Sequence, residues 1–312
     1  MANPSNKFVI PSEHLKQFHK LENQYTFGKL LNSGKYGHVF EGLMIEKGKK
    51  RSIAVKIIDL EKTSNDYRQK FLPKELSALI ELKHKYIIKT FDIKILDNYV
   101  YIFMEKALGG DILNMLEEKR FENGIPEPRA KKLFKMAAKA LTFIHGKGWA
   151  HRDIKSENIL LFDKKRTVAK LTDFGFSTTC FVPNTHQKLL KDTQCGTPIY
   201  GAPEVYKHSP YDAQKCDVWS MGVVLYVMVN NEMPLTGKDV MKMVVDPKPI
   251  TLEFKNKSLS NDCKDLIQRQ LEVDPQKRFT MAQVLDHNWF KDKSKSKVST
   301  TGSTTASPSS QT

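Results

Sequence analysis

Hydrophobic and polar positions change their period twice along this chain. Residues 1 to 24 are mixed and polar, with a short helical pattern around Ser12 to Leu21 and no chemistry to assign. From Tyr25, short β-prone runs follow one another: Tyr25 to Leu31, His38 to Ile45, and Ser52 to Ile58, the last two separated by the turn-like Glu46-Lys47-Gly48-Lys49. A helical stretch opening at Pro73 comes next, then two further runs, Lys89 to Leu96 and Tyr99 to Glu105, joined at Asp97-Asn98. This predicts a small antiparallel sheet with one main helix. Beyond Lys106-Ala107-Leu108-Gly109-Gly110, read as a hinge, the period becomes helical, and Leu133, Met136, Ala137, Ala140, Leu141 and Ile144 form a stripe ending near Gly146. Two short strands, Ile159 to Phe162 and Val168 to Leu171, interrupt it. The run from Asp217 to Val229 is apolar on nearly all faces and too short to span a membrane, so it predicts a buried core helix that Asp217 caps. After Lys291 the chain turns Lys/Ser-rich and then Ser/Thr-rich, a composition that cannot form a core and predicts disorder.

Chemistry enters first through Ile53-Ala54-Val55-Lys56-Ile57-Ile58. Strand alternation puts Ala54 and Lys56 on one face and Ile53, Val55 and Ile57 on the other. An inward lysine needs an anion; the alternative is an edge-strand lysine facing solvent. The next helix favours the first. Pro73 suits a first turn, and Leu72, Leu76, Leu79 and Ile80 share a stripe on which Glu75 also falls. A carboxylate buried there is costly unless paired, and Lys56 is its natural partner. Between the first two strands lies Asn32-Ser33-Gly34-Lys35-Tyr36-Gly37-His38-Val39. Gly34 and Gly37 would let the backbone approach phosphate oxygens and offer them N–H groups, although a loop like this, taken alone, is usually just a hairpin turn.

The densest chemistry is His151-Arg152-Asp153-Ile154-Lys155-Ser156-Glu157-Asn158, where a base, cations, a carboxylate and an amide fall within eight residues. Asp173-Phe174-Gly175 and Ala202-Pro203-Glu204 follow it. Taken in order with the loop, the strand lysine and the helix glutamate, these segments resemble the protein kinases, with Ile154 for Leu in the catalytic-loop pattern H-R-D-L-x-x-x-N. The departure is Asn32, which stands where G-x-G-x-x-G-x-V has its first glycine. Asparagine tolerates left-handed backbone better than most residues, so a compromised but working loop is expected.

The resemblance implies an α+β, bilobal protein kinase fold over residues 25–290, with an antiparallel N-lobe (25–105) and a mostly helical C-lobe (106–290), between an extension (1–24) and a tail (291–312). It implies ATP and Mg²⁺. Lys56, held by Glu75, contacts the α- and β-phosphates beneath Asn32, Gly34 and Gly37. Val39, Ala54 and Leu160 sandwich adenine, Met104 is the gatekeeper, Glu105 and Ala107 offer backbone contacts, and Asp111 lies near the ribose. Asp153 orients the attacking hydroxyl and accepts its proton, Lys155 neutralises charge on the transferring group, and Asn158 and Asp173 hold the metal. Leu79, His151 and Phe174 stack in a regulatory spine, Asp217 tethers the catalytic-loop backbone, and Arg278 pairs with Glu204. In the activation segment, Asp173 to Glu204, Thr193 is the expected phosphosite, served by an upstream kinase or by autophosphorylation, and its phosphate settles Arg152. Thr197 hydrogen-bonds Asp153 and Lys155. Asp111 and Glu157 imply protein substrates with an arginine upstream of the target, and Val227 stands where some arginine-directed kinases carry a further glutamate.

Lys155 and Gly196-Thr197-Pro198-Ile199-Tyr200 mark the Ser/Thr type. Lys70-Phe71-Leu72-Pro73-Lys74-Glu75-Leu76, Ile87-Ile88-Lys89-Thr90, Tyr101-Ile102-Phe103-Met104-Glu105, Thr193-Gln194-Cys195-Gly196-Thr197-Pro198 and Cys263-Lys264-Asp265-Leu266-Ile267 are similar to the testis-specific serine/threonine kinase family of the calmodulin-dependent kinase group. That similarity implies a role in male germ-cell differentiation. Met233-Pro234-Leu235-Thr236 lacks the aromatic and acidic residues usual after the proline, and no calmodulin-binding helix is evident after the domain.

Composition agrees and narrows little. With 312 residues, 40% of them hydrophobic and 27% charged, the chain has room for two lobes. No apolar leader, myristoylation signal at Ala2 or prenylation box at Ser309-Ser310-Gln311-Thr312 is present in it. Cys180, Cys195, Cys216 and Cys263 show neither metal spacing nor a disulfide framework, so a reducing compartment is expected, cytoplasmic with the nucleus left open. The net charge of +15 is spread along the chain, with short clusters at Lys47 to Arg51 and Lys291 to Lys297, and reads as a solvated basic surface. Neither a specific nucleic acid nor a membrane is an expected partner; a monomer is. The alternative is a pseudokinase scaffold, favoured by Asn32 alone.

Overall fold

The computed structural model describes residue 21 and residues 24–34, 36–182, 185 and 187–291. The tail after Lys291, and the pattern around Ser12 to Leu21 apart from Leu21 itself, lie outside the described residues. Strands β1 (Tyr25–Gly34), β2 (Gly37–Glu46), β3 (Lys49–Asp59), β4 (Thr90–Leu96) and β5 (Tyr99–Glu105) form one antiparallel sheet in the order β1-β2-β3-β5-β4. Alternation along β3 divides its side chains as the sequence predicts. Ala54 and Ile58 join the core that runs into the C-lobe, whereas Ile53, Val55 and Ile57 pack with Tyr25, Phe40, Tyr101 and Phe103 on the other face.

Helix α1 (Leu72–Glu81) does not open at Pro73 as expected. A π-helical turn, Tyr67–Phe71, runs directly into it. Proline has no N–H and its ring crowds the carbonyl four residues earlier; the widened turn just ahead of Pro73 lets the helix continue past it. Within α1 the buried arc runs from Leu72 through Glu75 to Ala78, and position 80 falls to the other side of Leu72. Ile80, expected on that stripe, is therefore 60% exposed. The segment after α1 is fastened to the C-lobe by Ile88 N–H donating to Leu171 O (2.8 Å) and Leu171 N–H donating to Tyr86 O (2.9 Å).

The C-lobe contains α2 (Ile112–Leu116), α3 (Glu127–Gly146), the short strands β6 (Trp149–Ala150), β7 (Ile159–Leu161), β8 (Ala169–Leu171) and β9 (Thr178–Thr179), then α4 (Ala213–Asn230), α5 (Gly237–Val245), α6 (Asn261–Gln270) and α7 (Met281–Asp286). Leu133, Ala137, Ala140, Leu141 and Ile144 on α3 are buried at helical spacing. Trp149, just after α3, is itself buried and donates its indole N–H to Glu81 at the end of α1 (3.3 Å). Helix α4 is buried on nearly all faces but starts earlier than its apolar run. Asp212 is its N-cap, accepting from Gln214 and Lys215 N–H, so Asp217 lies inside the helix and does not cap it. Below it, the Arg278 guanidinium, 1% exposed, meets both oxygens of Glu204 at 2.6 and 3.0 Å. Among the described residues, no helix is long and apolar enough to cross a membrane.

Candidate active site

Between the lobes lies a cleft of about 380 Å³. Asn32, Gly34, Gly37, Val39, Ala54, Lys56 and Glu75 line it from the N-lobe, Met104, Glu105 and Ala107 from the connecting strand and hinge, and Asp111, Glu157, Asn158, Leu160 and Asp173 from the C-lobe. The fold thus brings every expected nucleotide-site residue into one cavity. Gly37 is required there, because a Cβ would come 2.4 Å from Ile57 O in the neighbouring strand. Asn32 is different. It lies in β1 opposite Val39, outside the left-handed region, so asparagine's tolerance of that region is not used and a side chain is free of strain. Its Oδ1 accepts the Ser33 N–H at 2.8 Å.

Behind this loop, Lys56 Nζ is 2.6 Å from Glu75 Oε1 and 3.5 Å from Asp173 Oδ1. Glu75 is 1% exposed, and its other oxygen accepts the Tyr67 hydroxyl at 2.8 Å. Burial alone would discharge Lys56, but the Glu75 and Asp173 carboxylates outweigh it and hold the ammonium above its ordinary value. The desolvating walls of the cleft oppose ionisation of Asp173, whose side chain is still 43% exposed, and Lys56, helped by His151 and the Gly175 N–H, keeps that carboxyl below its ordinary range. Asp173 adopts left-handed backbone (φ 63°), which turns its carboxylate toward Lys56 while Phe174 packs inward, 5.1 Å from the His151 ring. Leu79 and Phe174 line the same back wall.

The catalytic loop is fixed from beneath by one buried carboxylate. Asp217 accepts the N–H groups of His151 (2.8 Å) and Arg152 (2.7 Å), and the His145 ring nitrogen lies 2.9 Å from it. These bonds hold Arg152 at φ 64°, an uncommon conformation for a residue with a side chain. Asp153 Oδ1 accepts the Thr197 hydroxyl at 2.8 Å, and its Oδ2 is 3.0 Å from both Lys155 Nζ and Asn158 Nδ2. Lys155 also donates to Thr197 Oγ1 at 3.0 Å. The amide nitrogen of Asn158 is committed to Asp153, leaving its amide oxygen as a ligand.

A Mg²⁺ ion suits this donor set, since it takes one or two protein oxygens and completes its shell with phosphates and water. Asp173 and Asn158 offer such a pair. Among the described residues, no cluster of three or more His, Cys, Asp or Glu could hold a metal ion.

On the substrate side, Asp111 caps α2, accepting the Asn114 N–H at 2.8 Å. Burial pushes its carboxyl above the ordinary value and Glu157 adds to the rise, although the Asn114 N–H opposes it. Glu157 accepts from Tyr200 OH at 3.5 Å. Thr193 is exposed, with its carbonyl held by Tyr211 OH at 2.6 Å. Two lysines missed by sequence reasoning join Arg152 near it. Burial, then Arg152 and Lys191, lower Lys74; burial lowers Lys191, with Arg152 adding. Among the described residues, no carboxylate forms an ion pair with any of the three. The available signal was a lysine beside Glu75 and another two residues before Thr193.

Comparison with known proteins agrees with this geometry. The protein kinase domain family matches residues 25–290. Testis-specific serine/threonine-protein kinase 2 of Mus musculus is 37% identical over 268 residues, covering 85% of this chain and 73% of that protein. Testis-specific serine/threonine-protein kinase 3 of Homo sapiens is 39% identical over 273 residues, covering 86% of this chain and 97% of its own length. CBL-interacting serine/threonine-protein kinase 18 of Arabidopsis thaliana is 35% identical over 272 residues, covering 87% of this chain and 50% of that protein.

Proposed function

Because the chain belongs to the protein kinase domain family and is a protein serine/threonine kinase, we propose that it transfers the γ-phosphoryl group of ATP, taken with Mg²⁺, to Ser and Thr hydroxyls that follow an upstream arginine. The observation that carries this reading is the continuous Lys56, Glu75 and Asp173 arrangement, at 2.6 and 3.5 Å, with Phe174 packed inward. A pseudokinase has no need to keep a lysine and two carboxyl side chains converging on one cleft. Lys56 would hold the α- and β-phosphates, and Asn158 and Asp173 would hold the metal, which would supply positive charge against the phosphates. Asp153 orients the incoming hydroxyl and takes its proton, Thr197 fixes the carboxylate, and Lys155 meets charge developing on the transferring group. The test is phosphate incorporation by the purified full chain from Mg-ATP into a basic peptide. Absence of incorporation, with the fold intact, would favour the scaffold reading.

The upstream arginine is supported by Asp111 and Glu157, an acidic pair in the cleft to which no cation is paired among the described residues. A carboxylate at contact distance outweighs a dispersed positive surface screened over about 8–10 Å. One arginine, three residues before the target, is the proposed preference. A positional-scanning peptide array showing no basic selection would remove it. Phosphorylation of Thr193 is the proposed switch, supported by Arg152, Lys74 and Lys191. A monomeric cytoplasmic enzyme is proposed, to be checked by sedimentation and cell fractionation. The names of the mouse and human relatives support a role in male germ-cell differentiation, and absence of the protein from germ cells would count against it.

A further inference from the structure

Glu75 must present one oxygen to Lys56 at the correct angle, and something must hold the other. That second oxygen, Oε2, accepts the Tyr67 hydroxyl at 2.8 Å, while Oε1 is 2.6 Å from Lys56 Nζ. Tyr67 is 1% exposed and begins the π-helical turn that leads into α1. An ordinary helical turn ahead of Pro73 would carry this residue around to another face. Burial, then the adjacent carboxylate, keeps the phenol protonated, so it remains a donor. Its ring does a second job. Tyr36, between Gly34 and Gly37 at the tip of the β1–β2 hairpin, stacks on Tyr67 with centroids 4.0 Å apart and planes 6° from parallel. The Tyr36 edge in turn meets Phe176, just past Asp173-Phe174-Gly175, at 6.1 Å, and Phe71 meets Phe176 at 5.5 Å.

We propose that Tyr67 is a positioning residue for phosphoryl transfer: its hydroxyl sets Glu75 on Lys56, and its ring seats the tip of the nucleotide loop against α1 through Tyr36. The inference rests on the kinase reading above. Two contacts made by the Tyr67 side chain link the nucleotide loop to the Lys56–Glu75 ion pair, and Tyr36 and Phe71 extend the link to Phe176 in the segment that carries Asp173. A phenol hydrogen-bonded to a buried carboxylate acts on the reaction only through that carboxylate, so its effect must vanish when the carboxylate is gone.

This dependence defines the test, run on the full chain with a basic peptide. Tyr67→Phe keeps the ring, its volume and the stack while removing the hydroxyl, so the variant is expected to fold. It should lower kcat/KM for ATP about tenfold, in the range of a lost hydrogen bond to a charged group, and leave the peptide KM unchanged. In a Glu75→Gln background, expected to retain measurable activity because the amide oxygen can still meet Lys56, the same change should cost less than about twofold. Tyr36→Ala should raise the KM for ATP while leaving thermal stability close to wild type, since the half-buried Tyr36 sits at a hairpin tip. An equal loss from Tyr67→Phe in both backgrounds, or a lowered melting temperature with unchanged kinetics, would make Tyr67 a packing residue and overturn the proposal. Faster turnover of Tyr36→Ala would also overturn it, by making the stack an obstruction. An inactive wild type would instead strike at the kinase reading itself.

Discussion

Asp173 and Gly37 show how single side chains are constrained by what surrounds them. Asp173 reaches the cleft only through left-handed backbone and stays ionised through Lys56. Asp173→Asn keeps the volume and removes the charge, so kcat should fall by roughly 10³-fold while circular dichroism is unchanged. Activity at the wild-type level would refute the metal assignment. Because the Asp173 carboxyl lies below its ordinary 3.8, its contribution to stability is present above that value and is lost only as pH falls through the lower folded one. Lys56, raised above 10.5, contributes fully below 10.5 and loses its contribution as pH rises through the folded value. At the loop, Gly37→Ala drives a methyl into the Ile57 carbonyl, whereas Asn32→Gly relieves nothing. The first should raise the KM for ATP by at least about tenfold; the second should change it by less than roughly fivefold, the cost of added chain freedom.

Lys56 and Glu75 were legible in the sequence because two different periods, 2 in the strand and 3.6 in the helix, both sent a charge inward. Tyr67 was not legible. Its facing depends on a π turn, and nothing in a hydrophobic pattern counts the extra residue in such a turn.

At the scale of elements, a hydrophobic run and the helix that contains it need not start together. The apolar run starts after Asp217, which gives that residue the look of a cap, but α4 extends a further turn to Asp212, whose polar neighbours hide the start. The carboxylate released from capping is the one that holds the catalytic loop. The link between Glu204 and Arg278 brings together positions 74 residues apart. Such a pair cannot be inferred from local pattern and was reached through resemblance. Glu204→Ala would strand a buried guanidinium and should cost about 3–5 kcal/mol in chemical denaturation, whereas replacing both partners with apolar residues of similar volume should cost far less. Equal losses would show that packing, not charge, sets the effect. Helix α2 carries a different conflict. Asp111 caps it, yet burial and Glu157 raise its carboxyl. For a carboxyl raised on folding, stability declines as pH climbs from the unfolded value through the folded one, so at neutral pH the ionised group destabilises the fold. Asn caps as well as Asp, so Asp111→Asn should raise the melting temperature by on the order of 2 °C at pH 7 and weaken arginine selection on a peptide array. A lowered melting temperature would mean that the carboxylate is stabilising where it sits.

For the whole molecule, the two lobes meet again at the cationic trio. Lys74 belongs to α1, Arg152 to the catalytic loop and Lys191 to the activation segment, so a phosphate at Thr193 would give three separate elements one counter-ion. Thr193 phosphorylation should raise kcat/KM roughly tenfold and raise the melting temperature, and Lys74→Ala should remove most of both gains. Full activity in uniformly unphosphorylated protein would contradict the switch. Thr197→Ala should abolish activity even in the phosphorylated protein, because Asp153 and Lys155 lose their shared partner.

Trp149 gives this molecule an optical readout of its own. All three tryptophans, at 149, 219 and 289, belong to the C-lobe, and Trp149 alone donates to a residue of α1, Glu81. Tryptophan emission is therefore silent about the sheet but responds to the end of the helix that carries Glu75. With Trp219 and Trp289 replaced by Phe, the remaining signal should shift to longer wavelength when α1 swings away and water reaches the indole. A label-free stopped-flow trace would then time the approach of α1 as nucleotide binds.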